Sequence, residues 1–386
     1  MRLAVPMSNF GIHIDFKKSK GGWVYDKKTD RKYLDFLCHF SSLPFGYSPE
    51  FMASTQFEED IIEVAHMKIA MCEYYSDQRI ELARELKQHI PSEYSTFHFA
   101  CTGSLAVEAA VKASFAYHDY KREKVISITN SFHGVNSYGN DLSTSSRLDG
   151  MPKNFDFQSL PIEHVLEHPI FLLNRKRIAC IVIEPVQCTY GDNWLDVNRL
   201  AEIRKACDEH NIVLIYDEVQ TGLSLGTTFY FEQLPDAKPD IVVFGKKFQV
   251  SGIAIKNGFE KIIEDYWRLS VTWDGDATDM VRSRYILQEI RVRDLHKNMI
   301  NIGSTIVSEL KKNNYLENVR GQGGILAFDL PTKKERDQLY KDCFEDGLMI
   351  NPTGERTIRL RPNMCTTQEE IEFAISVINK NSKIEN

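Results

Sequence analysis

The middle of this chain is written in short apolar runs rather than in alternation. Ile-Ala-Cys-Ile-Val-Ile at 178–183, Ile-Val-Leu-Ile-Tyr at 212–216 and Ile-Val-Val-Phe at 241–244 are apolar at odd and even positions alike. Such runs mark strands buried on both faces, as in a parallel sheet covered by helices, because neither parity meets water. The pattern predicts strands over 96–101, 124–129, 178–186, 212–219 and 241–244. Helices fall between them. One opens at Thr102-Gly103-Ser104 and carries Leu105, Val107, Ala109, Ala110, Val111 and Ala113; another spans about 197–210. Strand and helix in turn predict an α/β fold with a mostly parallel sheet wrapped on both sides.

The flanks read differently. Gly21-Gly22-Trp23-Val24-Tyr25-Asp26 and Lys32-Tyr33-Leu34-Asp35-Phe36 predict a hairpin. Helices are expected over 49–66 and 76–90, the second with Ile80, Leu82, Ala83, Leu86 and Ile90 at helical spacing and Pro91 to end it. After about residue 282 the alternation lapses. One long helix is expected over 280–312, strands over 324–330 and 357–361, and helices over 333–346 and 367–381, a mixed α+β tail. The expected organisation is an N-terminal segment, 1–40, packing with the small domain; a large domain, 41–280; and a small C-terminal domain, 281–386.

Composition narrows the class of partner. The chain has 386 residues, enough for one large domain and a smaller one, and is 42% hydrophobic and 26% charged, as a globular protein should be. A formal net charge of −7 argues against nucleic acid or an anionic membrane surface as the main partner. No run approaches the ~20 apolar residues of a membrane span, and the first residues lack the apolar core of a signal peptide. The eight cysteines are scattered, with neither a C-x-x-C pair nor clustered histidines, so reduced thiols, a cytoplasmic location and no metal site are expected.

Candidate chemistry collects where the strands end, the edge at which open α/β sheets bind ligands. Asp217 follows the fourth run and is costly to bury without a cation. Lys246 and Lys247 follow the fifth, after Gly245. A lysine desolvated there has an amine nucleophilic enough to form a Schiff base, whereas two solvated lysines would be an ordinary turn. Phe132 and His133 lie between the second and third strands. Thr102-Gly103-Ser104 offers a flexible glycine, two hydroxyls and the free N–H groups of a helix N-terminus, a site suited to phosphate. Each feature alone has an ordinary structural explanation. In this order along one chain, a phosphate cradle, an aromatic ring, a buried acid and an amine point to pyridoxal phosphate, whose pyridine nitrogen the acid would keep protonated.

The text at these positions resembles the class III pyridoxal-phosphate aminotransferases of fold type I, and among them the L-lysine 6-aminotransferases. The resemblance rests on Tyr33-Leu34-Asp35-Phe36, Thr102-Gly103-Ser104-Leu105-Ala106-Val107-Glu108, Phe132-His133-Gly134, Glu184-Pro185-Val186-Gln187 and Asp217-Glu218-Val219-Gln220-Thr221-Gly222. It continues through Phe244-Gly245-Lys246-Lys247, Thr272-Trp273 and Ile358-Arg359-Leu360-Arg361-Pro362, in family order. It implies a large domain with a mostly parallel sheet plus a smaller α+β domain. The implied reaction transfers an amino group between a terminal amine or aldehyde and glutamate or 2-oxoglutarate. Roles follow by the same matching. Lys246 rather than Lys247 forms the Schiff base, Asp217 pairs with the pyridine nitrogen and Gln220 reaches the ring hydroxyl. Phe132 and Val219 pack on opposite ring faces. Thr102, Gly103 and Ser104 form the phosphate site, which Thr272 reaches from the neighbouring subunit of a homodimer. Glu184 orients Asp217 or His133. Arg359 grips the α-carboxylate of glutamate or 2-oxoglutarate, for which a guanidinium fork is the best side chain.

Two substrate-site positions depart from that pattern. Many relatives place a glutamate where this chain has Thr189, and that glutamate pairs with the carboxylate-binding arginine while the ω-amine binds. Thr189 cannot neutralise Arg359. Lysine 6-aminotransferases carry a second arginine after Phe-His-Gly to hold the lysine carboxylate; here the position is Val135. The amine is therefore expected to be lysine-like or a different amino compound, with a keto acid as acceptor. The alternatives are an aminomutase or decarboxylase on the same scaffold, needing no external keto acid, and a non-catalytic regulatory subunit.

Overall fold

The computed structural model describes residues 10–145 and 148–382, so the first nine residues of the N-terminal segment expected to pack with the small domain lie outside it. The apolar runs form the centre of a seven-stranded sheet. Its order is Tyr94–Ala100, Ser251–Lys256, Ile241–Phe244, Val213–Asp217, Ile178–Ile183, Lys124–Ile128 and Gln158–Leu160. Only Ser251–Lys256 runs against the others. The three central strands are buried at every position. Alternate residues of one strand join different cores: Cys180 and Val182 pack with Ala106, Ala109 and Ala110 of the helix Gly103–Tyr117, whereas Ile181 and Ile183 pack with Leu200, Ile203 and Cys207 of the helix Val197–His210. Double-sided burial is what the unbroken apolar runs encode.

Several expectations need correction: the helix expected over 76–90 is Asp77–Leu86, and the short strands Gln158–Leu160, Glu317–Gln322, Leu348–Met349 and Asn351–Thr353 carry no apolar run that predicts them. The strand Ser251–Lys256 was not foreseen, because it is short, contains Gly252 and follows directly on the lysine turn. The strand expected over 178–186 stops at Ile183, since Pro185 has no N–H to give a ladder. The helix expected over 49–66 opens as a 3-10 turn, Glu50–Ala53, and restarts at Thr55 behind Ser54, whose side chain accepts the Phe57 N–H at 3.3 Å. The single helix expected over 280–312 is two, Ala277–Val292 and Leu295–Leu310, divided at Asp294 with its left-handed φ of 49°. Aspartate is among the few residues that enter this region readily, so the apolar periodicity gave no warning of the break.

The C-terminal part builds an antiparallel sheet in the order Glu317–Gln322, Ile325–Asp329, Thr357–Leu360 and Asn351–Thr353. Leu348–Met349 pairs with Arg31–Asp35 of the N-terminal hairpin. A left-handed turn follows the hairpin: Cys38, His39, Phe40 and Ser41 have φ of 50°, 47°, 58° and 68°. None is glycine, and such residues cost about 1–2 kcal/mol each in that conformation. Asp35 Oδ1 offsets part of this cost by accepting the Leu37 and Cys38 N–H groups at 3.0 and 2.7 Å.

One buried ion pair ties the end of the strand Thr357–Leu360 to the turn between the paired strands Val186–Gln187 and Asn193–Trp194. Arg361 Nη1 donates to Asp192 Oδ2 at 2.8 Å and Nη2 to Oδ1 at 2.5 Å, with both side chains sealed from solvent. Arg361→Met would leave Asp192 buried without its cation. The expected loss of about 3–5 kcal/mol should appear as a lower midpoint in chemical unfolding. A loss below about 1 kcal/mol, the size typical of a surface pair, would show that the pair does not anchor the sheet.

Candidate active site

The predicted residues converge at the C-terminal edge of the large sheet. Thr102, Gly103, Ser104, Phe132, His133, Glu184, Thr189, Asp217, Val219, Gln220 and Lys246, joined by Gly134, wall a cavity of about 240 Å³. All but Thr189, which follows the separate short strand Val186–Gln187, arrive from the ends of the large sheet's strands, because the parallel sheet delivers its strand-to-helix turns to the same side.

The anion end is built first. Thr102 takes an extended backbone and its hydroxyl accepts the Leu105 N–H at 3.3 Å, capping the helix that begins at Gly103. The N–H groups of Gly103 and Ser104 therefore open the helix with no intrahelical acceptor. Gly134 presses against this turn with φ +118°, and a Cβ there would lie 2.2 Å from Ser104 Oγ. Only glycine fits such an approach.

At the other end Asp217 closes its strand. Its Oδ2 meets His133 Nδ1 at 2.9 Å and its Oδ1 accepts the Val219 N–H at 3.1 Å. Burial opposes a charged His133, but the hydrogen bond and charge of Asp217 outweigh it and raise the imidazole above its ordinary range. Glu184 is pushed up to about 7 by burial, against the pull of His133 and with the push of Asp217. Its Oε1 accepts the Phe132 N–H at 2.6 Å, so it holds the backbone of the aromatic residue.

The two lysines have different environments. Lys246 holds a left-handed φ of 49° after Gly245, and its Nζ donates to Gln220 Oε1 at 2.7 Å. Burial lowers its pKa below the usual lysine range, although the charges of Asp217 and Glu184 oppose the shift. Lys247 does not line the cavity. Its Nζ donates to Ser224 Oγ at 3.1 Å and to the Ser41 hydroxyl, and burial pushes it down to about 8.

Three predicted residues stand outside this wall. Val135 is 47% exposed. Thr272 is at the surface, its carbonyl accepting the Met71 N–H at 3.2 Å. Arg359 is buried next to the Thr189 loop, with Nη1 donating to the Cys188 carbonyl at 2.6 Å. Burial first, and the charge of Arg361 second, push its pKa down to about 10, which leaves it cationic at neutral pH. Sequence reasoning missed Gly134 as a wall residue, and Cys188 and Asn351 as the groups around Arg359. Asn351 has no signal of its own, because its relation to Arg359 exists only in the register of two strands.

The set fits pyridoxal phosphate. A helix N-terminus awaits a phosphate, Phe132 and Val219 offer apolar walls, and Asp217 offers a carboxylate. Gln220 Nε2 is a buried donor with no partner among the described residues, which a ring oxygen would satisfy. No group of three or more His, Cys, Asp or Glu among the described residues is arranged to hold a metal ion. None of the described helices is long and apolar enough to cross a membrane.

Known proteins show the same arrangement of chain. The family model for class III aminotransferases matches residues 5–381. The L-lysine-epsilon aminotransferase of Mycobacterium tuberculosis is 30% identical over 411 residues, which cover 95% of this chain and 91% of that one. The 4-aminobutyrate aminotransferase of Kluyveromyces lactis is 26% identical over 427 residues, covering 95% and 89%. Among solved structures, a lysine aminotransferase from M. tuberculosis superposes with a TM-score of 0.90 at 28% identity, covering 98% of this chain and 96% of its own.

Gly134→Ala tests the anion end. The methyl must displace Ser104, so pyridoxal phosphate should dissociate about tenfold more readily, a cost of roughly 1.4 kcal/mol, in a titration of the apoprotein. An unchanged dissociation constant would remove the Gly134–Ser104 contact from cofactor binding.

Proposed function

The chain belongs to the class III aminotransferases, and from that premise we propose that it moves an amino group between a terminal amine and 2-oxoglutarate. Its cofactor is pyridoxal phosphate. The observation that carries the choice of acceptor is Arg359, a buried guanidinium beside the cavity whose hydrogen-bond partners are neutral. A buried cation of this kind is costly unless an anion reaches it, and a carboxylate matches its fork.

The chain's residues divide the work. Thr102, Gly103 and Ser104 would hold the phosphate, Phe132 and Val219 would bracket the ring, and Gln220 would reach the ring oxygen. Asp217, braced by His133 and the Val219 N–H, would present its carboxylate to the ring nitrogen. When bound, pyridoxal phosphate supplies a carbonyl that carries the amino group and an electron-poor ring that accepts charge from the donor carbon. Lys246 anchors it, and Lys246 Nζ takes up and returns the proton of the amine-bearing carbon. Its lowered pKa suits that duty, since a neutral amine is needed to accept a proton. Thr189 and Val135 are neutral, so the amine is selected by shape and length more than by a second charged contact.

A homodimer with a shared site is part of the reading. Met67, Tyr74, Tyr75, Val271 and Trp273 are exposed apolar side chains on two segments that the Met71–Thr272 hydrogen bond joins. Apolar surface concentrated in this way suits a second copy. Thr272 lies on this belt and would reach the phosphate of the partner's site from there.

The test is glutamate formation from 2-oxoglutarate with a panel of amines that includes lysine, ornithine and 4-aminobutyrate. Lys246→Ala should abolish turnover with every amine. Arg359→Ala should raise the KM for 2-oxoglutarate about 100-fold while the KM for the amine changes little. Equal effects on the two would take Arg359 out of acceptor binding, and turnover without any keto acid would favour an aminomutase or decarboxylase.

A further inference from the structure

Two arginines lie side by side at the end of the strand Thr357–Leu360, and they have opposite surroundings. Arg361 is neutralised by Asp192. Arg359 takes part in no ion pair among the described residues; its nearest partners are a carbonyl and an amide. The amide belongs to Asn351, which faces Arg359 directly across the antiparallel register. With its oxygen toward the guanidinium, Asn351 accepts from Nη2 at 2.7 Å and from Nε at 2.8 Å. That orientation is forced, since two guanidinium N–H groups cannot face an amide NH₂.

Three of the five guanidinium N–H groups are therefore engaged, one by Cys188 and two by Asn351, and one is left on each terminal nitrogen. The same strand also fixes the loop in front of the arginine: Thr353 Oγ1 donates to the Thr189 carbonyl at 2.8 Å. Asparagine at 351 thus does for the side chain's position what an acid would do, without cancelling its charge. An aspartate would satisfy the same two N–H groups, and an incoming carboxylate would then have to compete with it.

We propose that Asn351 is a specificity-determining residue, a neutral clamp that orients Arg359 while keeping its charge available, so that the enzyme prefers acceptors bearing a carboxylate to plain aldehydes. The proposal rests on the reading of Arg359 as the acceptor's carboxylate site. Substitution by aspartate separates charge from geometry, because it is isosteric and keeps the acceptor oxygen in place.

The experiment compares wild type, Asn351→Asp and Asn351→Leu as holoenzymes, with a saturating terminal amine and either 2-oxoglutarate or hexanal as acceptor. Asn351→Asp should raise the KM for 2-oxoglutarate on the order of 30-fold, with kcat and the KM for hexanal within about threefold of wild type. Asn351→Leu, which removes the oxygen but adds no charge, should raise the KM for 2-oxoglutarate by less. A purely structural Asn351 would tolerate aspartate, so an unchanged KM for 2-oxoglutarate in that variant overturns the assignment. So does an equal rise for both acceptors. Failure of the wild type to use any 2-oxo dicarboxylate would overturn the acceptor reading and this proposal together, whereas an unchanged Asp variant beside an active wild type overturns this proposal alone.

Discussion

Burying charge at one end of a parallel sheet is the constraint on which this structure turns. Asp217, His133, Glu184, Lys246, Lys247, Arg359 and Arg361 all lie at or near strand ends with little or no access to water. Keeping any of them charged there without a partner is costly, because desolvation of an ion costs several kcal/mol. The fold answers in three ways. Asp217 and His133 neutralise each other, as do Asp192 and Arg361. Glu184 shifts toward its neutral form, with a pKa near 7. Lys246, Lys247 and Arg359 receive only neutral hydrogen-bond partners, so they carry the unsatisfied demand of the site.

The C-terminal sheet meets this site at the loop over 188–192. Cys188 gives its carbonyl to Arg359, Thr189 lines the cavity, and Asp192 closes on Arg361. Arg320 adds a second tie, donating from Nε to the Asp192 carbonyl at 3.4 Å and from Nη1 to Asp329 at 3.0 Å. Arg359 lies in the strand and Arg361 just past its end, two residues on, so the Asp192 pair holds the chain close to the guanidinium beside the cavity. The ion pair therefore serves positioning as much as stability.

Most of the large sheet and most of the site were legible in the residues. Double-sided apolar runs gave the central strands because burial on both faces has no other simple signature. Lys246, Asp217 and the Thr102 turn could be placed at strand ends because topology puts ligand chemistry there. What stayed hidden depends on contacts between segments distant in sequence. Choosing Lys246 over Lys247 took a family resemblance, and the physical difference is a seat under Ser41 and Ser224 that no local pattern announces. The left-handed turn over 38–41 lacks the glycines that usually mark one; the Asp35 carboxylate caps it locally and Lys247 Nζ, distant in sequence, donates to Ser41. Asn351 was invisible for a similar reason, since its meaning lies in being opposite Arg359.

The pairing of charges also says what kind of molecule the cavity awaits. Once the Asp217–His133 and Asp192–Arg361 pairs are closed and Glu184 is drawn toward neutrality, the unpaired charge next to the cavity is positive, at Arg359, while burial draws the Lys246 amine toward its neutral form. The helix that begins at Gly103 adds the positive end of its dipole to the same space. Two sources of positive potential in a buried site favour a ligand set with more than one anionic group, at separate points. A phosphate at the helix end and a carboxylate at Arg359 meet that condition, and a neutral amine between them meets Lys246. The arrangement does not need a negatively charged residue at 189 to be stable, because Asn351 and the Cys188 carbonyl already hold the guanidinium in place.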